Sequence, residues 1–135
     1  MLKKALLITA VVLCATPVDA QVTTPSRKPV VCETHPLQTG MASVYANVLE
    51  GGRTASGETF HQTAFTVAHP TLPFNTLLEV RDRKTGHTVM VRVNDRGPFA
   101  AGRILDLTSA ARTALGHGAS GVYKVSISRC SGGDD

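Results

Sequence analysis

The clearest pattern along the chain is the alternation in Thr88-Val89-Met90-Val91-Arg92-Val93-Asn94. Successive side chains of a strand point to opposite faces, so Val89, Val91 and Val93 face one way and Met90, Arg92 and Asn94 the other. Lys84-Thr85-Gly86 supplies a turn back from residues 76–82, which predicts a hairpin. Further short β-like runs, bounded by Gly, Pro and Asn, cover residues 41–46, 64–69, 87–94, 103–107 and 122–128. The Ala-rich run Thr108-Ser109-Ala110-Ala111-Arg112-Thr113-Ala114-Leu115 predicts one helix, with Asp106 or Thr108 as N-cap and Gly116 as its stop. Many short strands and a brief helix point to a small closed β-barrel. Length supports this, because 135 residues suit a single domain.

The N-terminus has a different texture. Lys3 and Lys4 precede an almost unbroken apolar run over residues 5–15, and Val18-Asp19-Ala20 offers small residues where a signal peptidase cuts. Residues 1–20 therefore read as a secretory signal peptide, the apolar run being too short to span a bilayer. Leu13 stands before Cys14 where lipidation would want a small residue, so lipid anchoring and stable membrane insertion are not expected. Residues 21–39 carry three prolines and no sustained period, and read as an extended leader. The barrel is placed at 40–130, with a flexible tail at 131–135.

Composition changes this picture little. The chain has 14 Lys and Arg against 10 Asp and Glu; removing Lys3, Lys4 and Asp19 leaves 12 and 9, or +3. So small and scattered a charge describes a solvated surface and gives no support for nucleic acid as a partner. Cysteine is more informative. Without Cys14 the two remaining thiols, Cys32 and Cys130, allow one internal pairing, and export favours a disulfide over a catalytic thiol.

Several strings are set aside. Gly116-His117-Gly118-Ala119-Ser120-Gly121 matches a dinucleotide fingerprint in letters, but it follows a helix and precedes a strand, the reverse of the required order. The five histidines form no HxH or HxxxH pair, so neither a metal nor any other cofactor is expected.

Two segments are unlike barrel filler. Thr54-Ala55-Ser56-Gly57-Glu58 sets a carboxylate after a glycine turn. Asn94-Asp95-Arg96-Gly97-Pro98-Phe99 sets a carboxylate and an arginine where a valine-rich strand ends. Polar groups at strand ends are held by a rigid scaffold yet open to a ligand. Asp106 is a third candidate. Read locally, Asp95 caps the Gly-Pro turn and Arg96 is its partner.

These runs, with Gly40-Met41-Ala42-Ser43-Val44-Tyr45, Ala68-His69, Leu72-Pro73-Phe74 and Arg103-Ile104-Leu105-Asp106-Leu107, make the chain resemble the rare lipoprotein A family of bacterial cell-envelope proteins. The resemblance spans about residues 40–128. It implies a mainly β fold, a six-stranded double-psi β-barrel with one or two short helices, shared with expansins. It also implies lytic transglycosylase activity on peptidoglycan glycan strands, particularly strands without stem peptides, in the periplasm or outside the cell. The family's proposed active-site residues fall on Glu58, His69 and Asp95, with Asp95 as the expected acid/base. Asp106, Tyr45, Arg96 and Ser56 are the expected substrate-binding residues. The family usually reads Ser-Trp-Tyr-Gly where this chain has Ser43-Val44-Tyr45-Ala46, so an aromatic surface is missing. Two other readings stand beside the enzyme: an expansin-like module that binds polysaccharide without cutting it, and a secreted inhibitor on the same barrel.

Overall fold

The computed structural model describes residues 10–15, 26–118 and 121–132. Its elements are β1 (Val31–Cys32), β2 (Gln38–Val44), a 3-10 turn (Asn47–Leu49), β3 (Thr66–Ala68), β4 (Leu77–Asp82), β5 (Thr88–Asp95), β6 (Arg103–Leu107), α1 (Ser109–Ala114) and β7 (Tyr123–Ser131). β5 follows its alternation: Val89, Val91 and Val93 are buried, while Met90 is exposed. It forms the expected hairpin with β4, from Leu77↔Arg92 to Arg81↔Thr88. β4 also pairs with β7, so the ribbon β7-β2-β6-β3-β5-β4 closes on itself as a six-stranded barrel. Closure removes every free edge of that ring. Two of its pairings, β2 with β6 and β3 with β5, are parallel.

The interior is aliphatic. Val67, Leu78, Val80, Leu105, Leu107, Val125 and Ile127 are fully buried, and α1 closes the core with Ala111 and Leu115. Thr108 is the N-cap, its hydroxyl accepting from the Ala111 N–H, while Asp106 lies inside β6. Gly116 follows at φ +82°, a left-handed position suited to a helix stop.

Part of the region expected to be an unpaired leader lies in strands. Gln38 and Thr39 pair with Ile127 and Ser126 of β7. Val31 and Cys32 pair with Ser131 and Cys130. Backbone pairing to a distant strand leaves no trace in a run with three prolines and no period. Cys32 and Cys130 form the expected disulfide, 98 residues apart in sequence. Residues 1–9 and 16–20 of the expected signal peptide, its cleavage point included, lie outside the described residues, as do 119–120 and 133–135.

The hairpin end of the barrel is tied by Asp82, which is 1% exposed. Burial opposes its ionisation, but the Thr85 N–H, the His117 ring, the Lys84 N–H and the Thr85 hydroxyl together hold it down at about 2. His117 in turn stacks on Tyr123, ring centroids 3.6 Å apart. A carboxyl below its ordinary 3.8 stabilises the fold above that value and stops doing so as pH falls through the folded one. We therefore expect about 2 kcal/mol of stability to disappear between pH 4 and 2. Urea titrations across that range check this, and Asp82→Asn is expected to flatten that part of the curve. An unchanged slope in the variant would contradict it.

Candidate active site

The site forms where β5 ends. The Asp95 carboxylate is held by three donors: the Ala55 N–H (2.8 Å) and Arg96 N–H (2.8 Å) on Oδ1, and the Tyr45 hydroxyl (2.9 Å) on Oδ2. Ala55 is available because the Thr54–Glu58 turn closes on itself. The Thr54 N–H donates to the Glu58 carbonyl and the Gly57 N–H to the Thr54 carbonyl. The Ser56 N–H then ties the turn to the Asn94 carbonyl on β5. Ser56 itself is half-buried, its hydroxyl bonded to that of Thr54 at 2.9 Å.

Tyr45 follows β2, its ring packed on Phe60. Burial, the hydrogen bond to Asp95, and the negative charges of Asp95 and Asp106 all raise its pKa far above the ordinary value of 10. Its hydroxyl therefore stays a donor throughout the physiological range. Asp106 approaches from β6, where it pairs with Ser43 of β2 and accepts the Ser43 hydroxyl on Oδ1. Its other oxygen faces Gly97, where an added Cβ would lie 3.9 Å away. Gly97 also sits at φ +109°, so a side chain there is strained even though the space would admit a Cβ. Phe99, 83% exposed, brings a ring edge to 3.7 Å from that same point.

The other expected residues form a supporting ring. Glu58 receives a two-pronged bond from Arg92, at 2.6 and 2.9 Å, and a third from the Asn94 amide at 3.2 Å. The Arg92 guanidinium holds its carboxyl below the usual range. His69 is 4% exposed. Its Nδ1 accepts from the Thr71 and Leu72 N–H groups, which assigns the proton to Nε2, facing the Gln38 side-chain oxygen at 3.0 Å. Burial and the nearby Arg96 charge lower its pKa, so the ring is neutral at pH 7. Arg96 turns its guanidinium away from Asp95. It donates to the His69 and Leu72 carbonyls and lies 4.0 Å over the Phe74 ring.

The structure thus brings Asp95, Tyr45 and Asp106 together, while Glu58 is bonded to Arg92 and Asn94 of β5, and His69, Arg96 and Ser56 find their partners elsewhere. Ser43, Arg92 and Gln38 were not singled out in the sequence. Arg92 carried a faint signal, as a charge on the polar face of the alternating strand, and Ser43 stood in the family-like run Ser43-Val44-Tyr45; Gln38 carried none. Among the described residues no group of three or more His, Cys, Asp and Glu could hold a metal ion.

A family model described as lytic transglycolase, with a double-psi β-barrel, matches residues 37–127. The chain belongs to that family. Within this rare lipoprotein A-like family it is 47% identical over 91 residues to a probable endolytic peptidoglycan transglycosylase RlpA of Synechocystis, covering 67% of this chain and 28% of that protein. It is 46% identical over 90 residues to the endolytic peptidoglycan transglycosylase RlpA of Neisseria meningitidis, covering 67% of this chain and 38% of the relative. The chain thus matches well under half the length of these curated relatives. Among solved structures, apo Clavibacter michiganensis expansin superposes with a TM-score of 0.53 at 26% identity, over 67% of this chain and 48% of the expansin. The family match contains all seven site residues, from Tyr45 to Asp106, and leaves Cys32 and Cys130 outside.

Proposed function

We propose that this barrel is an endolytic lytic transglycosylase that cuts peptidoglycan glycan strands to 1,6-anhydro-muramyl ends. The observation that carries the reading is the Asp95 carboxylate, oriented by two backbone N–H groups and the Tyr45 hydroxyl at the open end of a closed barrel. Cleaving a glycosidic bond needs a proton delivered to the leaving oxygen while positive charge develops on the sugar. Asp95, protonated before the step, delivers it as the acid and is left as the carboxylate. The C6 hydroxyl of the same muramic residue then attacks C1, and Asp95 takes its proton back as the base, so no water is consumed. Asp106, whose charge acts on the Tyr45 hydroxyl together with that of Asp95, offsets the developing positive charge. Glu58, His69, Arg96 and Ser56 position the two loops and need not touch sugar. Relatives that carry the transglycosylase name support this assignment.

The setting agrees with the chemistry. A disulfide is at home in an oxidising compartment, and peptidoglycan lies outside the cytoplasmic membrane. No helix among the described residues is long and apolar enough to cross a membrane. We place the protein in the periplasm or outside the cell. The deciding test incubates the protein with purified glycan strands lacking stem peptides and examines the products by mass spectrometry. Anhydro ends are expected. The likeness to expansin favours one other reading, a module that binds polysaccharide without cutting it. Retention on the strands with no product from folded protein would establish that reading instead.

A further inference from the structure

Phe99 is the aromatic ring beside the site that the fold leaves uncovered. Phe60 is buried against Tyr45, Phe74 packs on the core with Arg96 over its face, and Tyr123 stacks on His117. Phe99 is 83% exposed and makes no ring contact among the described residues. It therefore forgoes the burial that lets the other rings stabilise the barrel. The loop that carries it is nevertheless pinned at both ends. Before Phe99, the Arg96 N–H is held by Asp95 and the Arg96 guanidinium by the His69 and Leu72 carbonyls. After it, the Arg103 N–H donates to the Ala100 carbonyl (3.2 Å) and the Met41 N–H to the Gly102 carbonyl (2.9 Å). Gly97 has no side chain to intervene. One point beside it lies 3.7 Å from the Phe99 ring edge and 3.9 Å from Oδ2 of Asp106. An exposed ring thus stands next to a site carboxylate on a loop fixed in advance.

We propose that Phe99 is a stacking platform for one pyranose ring of the glycan strand, on the Asp106 side of the scissile bond. The proposal rests on the glycan-cleaving assignment above and names a residue that grips the strand there. A pyranose has one face of C–H groups, apolar and slightly positive, and the face of a phenyl ring is apolar and slightly negative. The two match in size as well as in polarity. Ala100, Ala101 and Gly102 beside Phe99 are exposed but small, so a single ring stands proud. That is the footprint of one sugar, far below the area a protein partner needs. Because the loop is tied before the sugar arrives, little ordering opposes binding. The platform reads the C–H face common to N-acetylglucosamine and muramic residues, and is indifferent to what C3 carries.

The chain has no tryptophan, so in Phe99→Trp all indole emission comes from this one position. Purified glycan strands without stem peptides, and an N-acetylglucosamine oligomer, are each expected to change that emission saturably, because a sugar covers the ring. On the glycan strands, Phe99→Ala should raise KM about tenfold and leave kcat within about twofold. Phe99→Tyr should stay within about twofold of wild type in KM. Phe99→Leu should behave like Phe99→Ala, since leucine is apolar but has no π face. A KM within twofold of wild type in folded Phe99→Ala would overturn the platform, and so would a normal KM in Phe99→Leu. If Phe99→Ala fails to fold, the Tyr and Leu variants and the emission titration decide. Emission that answers to anionic lipid vesicles and not to glycan would overturn the platform too, by making the ring a membrane contact. Strands cut normally by Phe99→Trp with no change in emission sink the platform alone. Saturable emission changes without any anhydro product leave the platform standing and sink the glycan-cleaving assignment.

Discussion

Asp95→Asn should abolish formation of anhydro ends while leaving the fold in place. Asparagine has the shape of aspartate, and its carbonyl oxygen can still accept the Ala55 and Arg96 N–H groups that hold Oδ1. The amide then meets the Tyr45 hydroxyl, which rotates to accept instead of donate. What disappears is the group that gives and regains a proton. General acid–base catalysis contributes about 10²–10⁴-fold, and here one carboxyl is assigned both transfers, so a loss of about 10³-fold or more is expected. Mass spectrometry of the products and circular dichroism of the variant check the two halves of this statement. Turnover within tenfold of wild type would move the acid role to Asp106 or Glu58. Of these, Asp106 is the stronger candidate, because Glu58 is engaged on both oxygens by Arg92.

The largest effect on stability is expected from removing the disulfide. Cys32 and Cys130 close a loop with a sequence separation of 98, nearly the whole barrel. In the chain-entropy picture, opening such a loop in the unfolded state costs about 4–5 kcal/mol of stability. Domains of this size are stable by only about 5–15 kcal/mol, so the effect is a large fraction of the total. The double variant Cys32→Ser/Cys130→Ser avoids leaving one of this pair as a lone thiol. Its urea midpoint should fall steeply, and reductant should lower the wild-type midpoint to match. A change below about 1 kcal/mol would mean that the bond merely secures β1 against β7, and that the closed barrel needs no such constraint.

The barrel's character was legible because its strands announce themselves locally. Val89, Val91 and Val93 show the period of two, Lys84-Thr85-Gly86 shows the turn, and together they define a hairpin without reference to the rest of the chain. Arg103–Leu107 was found at its observed bounds, and the helix within one residue at each end. β2 was found late, because Gln38 and Thr39 are polar and join the sheet only through backbone bonds to β7. Periodicity says which face of a strand is buried and is silent on which strand lies alongside. The closing pair β4–β7 and the parallel pair β2–β6 are consequences of global packing, where every ladder bond must find a partner at once.

The site divides the same way. The residue types at the ends of the strands, with Asp95 beside a Gly-Pro turn and Glu58 after a glycine turn, were visible as candidates in the sequence and in its family resemblance. Their division of labour was not. Arg96 stands next to Asp95 in the chain, which made it the obvious partner, yet its guanidinium serves the His69–Leu72 turn. The side-chain partner of Asp95 is Tyr45, 50 residues away, and that of Asp106 is Ser43, 63 residues away. Neighbours in sequence diverge because a strand turns alternate side chains apart. Distant residues converge because a closed barrel brings strand ends to one rim. The sequence by itself determined a small β-barrel with carboxylates at its strand ends. Only the tertiary structure decided which carboxylate is held by two backbone N–H groups and a tyrosine hydroxyl, and which is committed to an arginine. Those outcomes depend on register and closure, which are set by long-range pairing and leave no local mark.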